Sequence, residues 1–372
     1  MSGVLAIRGL GFVTPVGLSY AASMAALRAG VPQLREFEGW MDGGALPDPP
    51  VVGGRVPLEW LHGTVEEDWP GHERWKLAIP RPHVLIPPGP ERLVELAIPA
   101  AEEAWAMSGY SARSATGVGI YLGLDEMDAA EPIAEAIGKA IGLQFSVVRG
   151  DRLGRASGLA ALHRAARHLA EGRIGVAVVG GVDSRLRRDA LARMLEAGMV
   201  RIKDVPDGVL PGEAAGFAVL TASDGSRAMS YVDGSGVAEE PTTGTDDPNV
   251  GVGLTLALRR AREAAVRDMT DFPWVACDLE GRRYRVHEWV YAKARVLGDV
   301  LTREGGPAET AMWHAADCIG DTGAASGLVH LGWAVHALNE GYAGIDHSLV
   351  WGASDGILRA AVRVVRRDPA RN

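Results

Sequence analysis

The sequence predicts an α/β protein assembled from two halves of like fold, and two observations carry that prediction. The first is the stretch Gly154-Arg155-Ala156-Ser157-Gly158, a Gly-rich turn that delivers the chain onto residues 159–172 and then onto Val176-Ala177-Val178-Val179-Gly180-Gly181-Val182-Asp183-Ser184. Leu159, Leu162, Ala165, Ala166 and Leu169 recur at three- and four-residue spacing, the pattern of a helix with one buried face. Gly172 stops that helix, and the Val/Ala run after it has no polar alternation, so it reads as a strand covered on both faces and closed by a Gly-Gly turn.

The second observation is that the block recurs. Gly323-Ala324-Ala325-Ser326-Gly327, residues 328–341 and Leu349-Val350-Trp351-Gly352-Ala353-Ser354-Asp355-Gly356 repeat turn, helix, strand and turn. Between 154–172 and 323–341, ten of nineteen positions are identical. Solenoid units are far shorter than this separation. Two halves, each aiming a helix N-terminus at a shared site, account for it: residues 1–225 and 226–372.

The remaining elements follow in order. Residues 4–8 read as a strand and 20–28 as a short helix ended by Gly30. From 31 to 90 the composition shifts, with eleven of the 21 prolines and four of the ten tryptophans, Trp40, Trp60, Trp69 and Trp75. Proline removes ladder donors, so this is an irregular excursion, its tryptophans packed on the body or presented to a partner. Pro90 opens a helix to Met107 with Pro99 inside it. Residues 118–122 are a buried strand, followed by an acidic segment, 125–131. Residues 217–220 are a core strand, and 228–232 begin the second half. Residues 234–249 read as a polar loop, 254–265 as a helix, 274–277 as a strand, 288–301 as a helix and 362–365 as a last strand.

Composition sets limits. At 372 residues with 47% hydrophobic and 23% charged side chains, this is the composition of a soluble globular chain of about two domains. A net charge of −9 lacks the basic balance of a nucleic-acid binder. No apolar run of about eighteen residues spans a membrane. The start, Met1-Ser2-Gly3-Val4, lacks the pattern of a secretory leader, so a cytoplasmic location is expected. Cys277 and Cys318 alone fit a reducing compartment and have no metal-ligand spacing, so neither metal nor cofactor is expected.

Four motifs in order then resemble one family. Gly9-Leu10-Gly11 with Thr14-Pro15 and Gly17, Ala156-Ser157-Gly158, Gly180-Gly181-Val182-Asp183, and Pro211-Gly212-Glu213-Ala214-Ala215 are similar to segments of the β-ketoacyl synthase (condensing enzyme) branch of the thiolase-like superfamily. The resemblance implies a five-layer αβαβα architecture and a homodimer. It also implies a set of chemical parts: a cysteine thiolate at the N-terminus of the central helix, two basic side chains (two His, or His and Asn) for malonyl decarboxylation, and an oxyanion hole.

At those positions this sequence departs from the family. Alignment through Ala156-Ser157-Gly158 puts Arg155 in the cysteine position, and a permanently protonated guanidinium is no nucleophile. Ser157 is read as a helix N-cap. The place of the first histidine reads Asp278-Leu279-Glu280-Gly281-Arg282-Arg283; His287 beyond it is read as a surface residue at a helix start. In Ile319-Gly320-Asp321-Thr322-Gly323, Asp321 takes the His or Asn position, and Ala316 stands where elongating synthases carry Lys. The loop Gly352-Ala353-Ser354-Asp355-Gly356 lacks the gating Phe, and Cys318 is read as a core thiol.

The candidate pocket is therefore Arg155, Ser157, Asp278, Glu280, Asp321, Thr322, Ser354 and Asp355, with no catalytic residue expected. Arg155 and Asp321 stand at facing positions where an ion pair would suit both; a separation beyond about 6 Å would exclude it. Three functions stay open. The first is a non-catalytic protein that binds another protein as a homodimer, in effect a pseudoenzyme. The second is an acyltransferase or 3-oxoacyl-acyl-carrier-protein synthase using Ser157 or Cys318. The third is a binder of an anionic ligand such as coenzyme A or an acyl carrier. The first is the favoured reading.

Overall fold

The computed structural model describes residues 3–37, 51–58, 89–111, 117–226, 228–265, 272–297 and 310–369. Along the first part of the chain come β1 (Leu5–Val13), α1 (Tyr20–Arg28), β2 (Arg35–Phe37), β3 (Val51–Gly53), α2 (Glu91–Ser108), β4 (Val118–Leu124), α3 (Ala130–Ile141), β5 (Val147–Arg152), α4 (Ser157–Ala170), β6 (Val176–Ser184), α5 (Arg188–Glu196) and β7 (Glu213–Ala222). Then follow β8 (Ser230–Glu239), α6 (Val252–Glu263), β9 (Trp274–Cys277), α7 (Arg283–Val296), β10 (Ala311–Trp313), α8 (Ala316–Ile319), α9 (Ser326–Glu340), β11 (His347–Ala353) and β12 (Leu358–Val365).

Ten strands form one sheet in the order β10-β9-β11-β12-β8-β1-β7-β6-β4-β5. Read outward from its centre, the order β1-β7-β6-β4-β5 on one side is matched by β8-β12-β11-β9-β10 on the other. The junction is short: β1 meets β8 antiparallel at Leu5–Val232, Ala6–Tyr231 and Ile7–Ser230.

Helices fill five layers with this sheet. α2 lies on β1, β7 and β6 with α3 at its side, and α6 lies on β8 and β12 with α7 at its side. Between the two five-strand groups run α4 and α9, each touching strands of both. Their apolar stripes meet in one core, where Leu159, Leu162 and Ala165 of α4 join Leu328, Leu331 and Ala334 of α9. Each fully buried leucine there contributes roughly 2 kcal/mol from removal of apolar surface. α4 starts from a 3₁₀ turn, Gly154–Ala156, and α9 from its counterpart, Gly323–Ala325; the two turns face each other. The five-layer α/β architecture expected from the sequence is the one observed.

Several local expectations need correction. β6 does not end at Gly180-Gly181 but runs on to Ser184. The glycines are there because the second half approaches: a Cβ on Gly181 would sit 2.5 Å from the Ala324 carbonyl oxygen. The expected polar loop at 234–249 begins instead as β8, whose Gly236 gives α6 room; a Cβ there would lie 2.2 Å from the Ala257 carbonyl oxygen. Composition had marked as a loop what close helix packing requires of a strand. α7 starts at Arg283, five residues before the expected 288, and residues 298–301 lie outside the description. α3 and the edge strands β5 and β10 had not been foreseen. Trp40, Trp60, Trp69 and Trp75 lie outside the described residues.

Candidate functional site

The two facing turns bring oppositely charged side chains together. Arg155 projects from the turn ahead of α4, and Asp321 stands two residues before the turn ahead of α9. Arg155 Nη2 donates to Asp321 Oδ2 at 2.5 Å, and each side chain is only 1% exposed. Asp321 Oδ1 accepts the Gly323 N–H at 3.0 Å, which fixes the carboxylate on its own turn. Arg185, just past the end of β6, places Nη1 3.0 Å from the same Asp321 Oδ2. Asp183 Oδ2, at the end of β6, accepts the Ala324 N–H at 3.0 Å and ties that strand to the second turn.

The loop after β9 and the start of α7 supply the other wall. Glu280 Oε1 lies 2.6 Å from Arg282 Nε, 2.8 Å from Arg285 Nε and 3.6 Å from Arg155 Nη2. Asp355, in the loop after β11, accepts from Arg285 Nη2 at 2.6 Å, from the Tyr284 hydroxyl at 3.1 Å, and from Arg282. Its other oxygen lies 3.7 Å from Arg155 Nε and 3.8 Å from Arg185 Nη2. Asp278 Oδ2 accepts the Ala353 N–H at 3.1 Å. Four guanidiniums thus interleave with five carboxylates: Arg155, Arg185, Arg282 and Arg285 among Asp183, Asp278, Glu280, Asp321 and Asp355.

Burial and pairing act on these acids in opposite senses. Burial would raise Asp321 and Asp355, but Arg155 and its neighbours outweigh it, holding Asp321 below and Asp355 well below the ordinary carboxylate range. At Asp278 burial wins over Arg285 and Arg155 and pushes the carboxyl up to about 6. Asp183 is pushed up to about 7 by burial, with Asp125 adding to it against Arg185 and Arg187. Mutual attraction keeps the charges ionised where arginines face them; removing one partner of such a buried pair leaves an uncompensated charge at a cost of about 3–5 kcal/mol.

The structure gathers Arg155, Glu280, Asp321 and Asp355 into direct ion-pair contact. Ser354 joins through its Oγ, which accepts the Ala156 N–H at 3.1 Å. Ser157 is not the N-cap expected of it: α4 is capped by Ala156, and Ser157 Oγ accepts the Leu153 N–H upstream at 2.9 Å. Thr322 is buried and uses its carbonyl, which accepts the Ala325 N–H. Arg185 and Arg285 had been missed. Arg185 follows Asp183 by two residues, beyond an assumed turn that is in fact strand. Arg285 lies one helical turn after Arg282, in a stretch read as loop.

Beside this network opens a cavity of about 620 Å³. Glu280 and Asp321 form its inner wall, Arg201, Arg283 and His287 stand around it, and Ala316 lines it. Neither thiol serves it as a ready nucleophile: burial raises both Cys277 and Cys318 above the ordinary range. Among the described residues, no cluster of three or more His, Cys, Asp or Glu is placed to hold a metal ion, and no helix is long and apolar enough to cross a membrane.

Two facing turns that start two central helices, between two five-strand groups, can be compared directly with known folds. Residues 154–224 match the family described as β-ketoacyl synthase, N-terminal domain. The ketosynthase from module 6 of the bacillaene synthase of Bacillus subtilis 168 superposes with a TM-score of 0.75 at 16% identity, over 99% of this chain and 73% of that one. The chain has the thiolase-like fold of the ketosynthases. The ishigamide ketosynthase/chain length factor gives a TM-score of 0.76 at 17% identity, over 98% of this chain and 100% of that one. A β-ketoacyl synthase from Burkholderia phymatum STM815 gives 0.73 at 17% identity, with coverage of 98% and 100%. Among curated proteins none matches in sequence. This ketosynthase fold therefore carries, between its central turns, a buried lattice of ion pairs.

Proposed function

We propose that this ketosynthase-fold protein does not condense acyl thioesters and acts by binding another protein. The observation that supports this most is the Arg155–Asp321 contact of 2.5 Å at the mouth of the central helix. By resemblance, Arg155 stands where an acyl-accepting thiol belongs and Asp321 where a His or Asn would steady the carbanion of decarboxylated malonyl. A guanidinium offers no lone pair for acylation, and a carboxylate repels both malonyl and its enolate. Ser157 offers no substitute: its Oγ accepts a backbone N–H, and among the described residues nothing basic is hydrogen-bonded to it. A homodimer fits the same reading, since β5 is the last strand of the sheet among the described residues and its outer edge could pair with a second copy.

Mass spectrometry tests the loss of chemistry. After incubation with acetyl- and malonyl-coenzyme A, the protein is expected to show no covalent adduct and to release no carbon dioxide. Acylation of Ser157, Cys318 or any other side chain of the centre would overturn the proposal. Light scattering reads the oligomeric state, with a monomer counting against the homodimer.

A second reading is favoured by the cavity, where Arg201 and Arg283 stand at a space that reaches Asp321. These cations suit an anionic ligand of the coenzyme A or acyl-carrier type. A structure of the same fold, with a TM-score of 0.74 at 13% identity, holds a type II polyketide acyl-carrier protein in complex with its ketosynthase. Thermal stabilisation by coenzyme A that disappears in Arg283→Ala would support this; no stabilisation would remove it.

A further inference from the structure

We propose that the outer face of α6 and α7 is a docking surface for an acidic amphipathic helix presented by a partner protein. This rests on the reading that the protein works by binding another protein, and it names the surface and the chemistry of the partner.

The two helices lie side by side, with Arg259 Nη2 of α6 donating to the Arg295 carbonyl at 3.3 Å and Asn249, just ahead of α6, reaching Glu288 of α7. The inner stripe of α7, including Glu288, Trp289, Ala292 and Val296, is buried. Its outer stripe is apolar as well: Val290 is 55% exposed and Tyr291 46%, and Val286, 36% exposed, continues the stripe to the cavity described above, which it lines. Val286 and Val290 stand one turn apart on one face, and Leu256 of α6 adds a fourth exposed apolar side chain, 38% exposed. A surface helix normally keeps one apolar stripe. This one has two, and among the described residues only one is covered.

Charge says what kind of partner would cover the second. Together α6 and α7 carry seven Arg and Lys against two Glu, in a chain whose net charge is −9; one of the seven, Arg285, is buried in the lattice of the site. One of the two acids, Glu288, is buried against Arg359. Arg259, Arg260 and Arg295 donate to backbone carbonyls, of Arg295, Val237 and Val250 respectively. Carbonyls satisfy the donors, and among the described residues no carboxylate is paired with these three arginines. A basic rim around a valine–tyrosine stripe complements a helix with an apolar stripe flanked by Glu or Asp. Nucleic acid fits less well, because phosphates gain nothing from the valines and the chain as a whole repels a long polyanion. A bilayer fits less well too, since four side chains bury too little surface to hold one.

The test uses the full chain and a fluorescein-labelled helical peptide with leucines at i, i+4 and i+7 and glutamates elsewhere, read by anisotropy. Binding should weaken with salt, fall about tenfold in Val290→Asp and in the double variant Arg259→Glu/Arg295→Glu, and fall less in Val290→Ala. Circular dichroism melting confirms that these surface variants fold. Equal binding of a peptide with the same composition but scrambled leucine spacing would overturn the proposal. So would tighter binding of duplex DNA or phosphatidylserine vesicles lost in the same variants. Failure here leaves the acylation result standing, whereas acylation of the centre would overturn the earlier reading with this surface untouched.

Discussion

Arg155 and Asp321 are 166 positions apart in the chain, yet their side chains form one 2.5 Å hydrogen bond that locks the starts of both central helices together. Removing Arg155 strips Asp321 of one of its two arginines while Arg185 stays. Arg155→Met should destabilise the fold by about 3–5 kcal/mol, less if Arg185 compensates. The double variant Arg155→Met/Asp321→Leu should lose less than the two single changes added, because no buried charge is then left alone. Urea melts of the four proteins check this; strict additivity would mean the pair is not coupled.

Asp278 makes stability depend on pH in an unusual direction. Its carboxyl titrates at about 6 in the fold, against an ordinary value of 3.8. Between those values the folded chain keeps a proton that the unfolded chain has released, so this group's contribution falls as pH rises. Relative to Asp278→Asn, the native protein should lose on the order of 2–3 kcal/mol between about pH 4 and pH 7. Chemical melts of both proteins across that range measure the difference; parallel curves would refute it.

Neither thiol should react in the folded state. Cys277 is fully buried and Cys318 nearly so, and burial raises both. Ellman's reagent is expected to titrate neither cysteine at neutral pH and both in guanidinium chloride. Rapid native reaction at Cys318 would reopen a thiol route to chemistry.

Packing of α6 on β8 depends on absent side chains at Gly234 and Gly236. Gly236→Ala would push a Cβ to 2.2 Å from the Ala257 carbonyl oxygen, so a loss of roughly 3 kcal/mol or more is expected. Gly244→Ala, at φ 76° but with nothing within 4 Å, should cost only about 1 kcal/mol. Thermal melts separate steric from backbone cost; equal losses would refute the steric account.

Periodicity and the internal repeat made the class and the central helices legible, because Leu159, Leu162 and Leu169 and their counterparts have no other use for that spacing. The Trp274–Cys277 strand emerged with its observed bounds for a similar reason, a short apolar run opened by Pro273 and closed by Asp278. Gly-containing strands were misread. Gly181 and Gly236 look like turn residues until the second half and α6 are seen pressing on them. At the site, Arg155 and Asp321 were visible through the resemblance, but Arg185 and Arg285 were not. Nothing local distinguishes an arginine aimed into a buried lattice from one aimed at water; only the fold makes that difference.

The junction strand has a consequence for how the protein is made. β1 lies between β7 and β8, so Leu5 is matched with both Ala222 and Val232. No nascent chain can close that seam until more than half of it has been translated. Until then β1 offers two open edges to any passing strand, and its safe keeping during synthesis is a matter of timing and of chaperones.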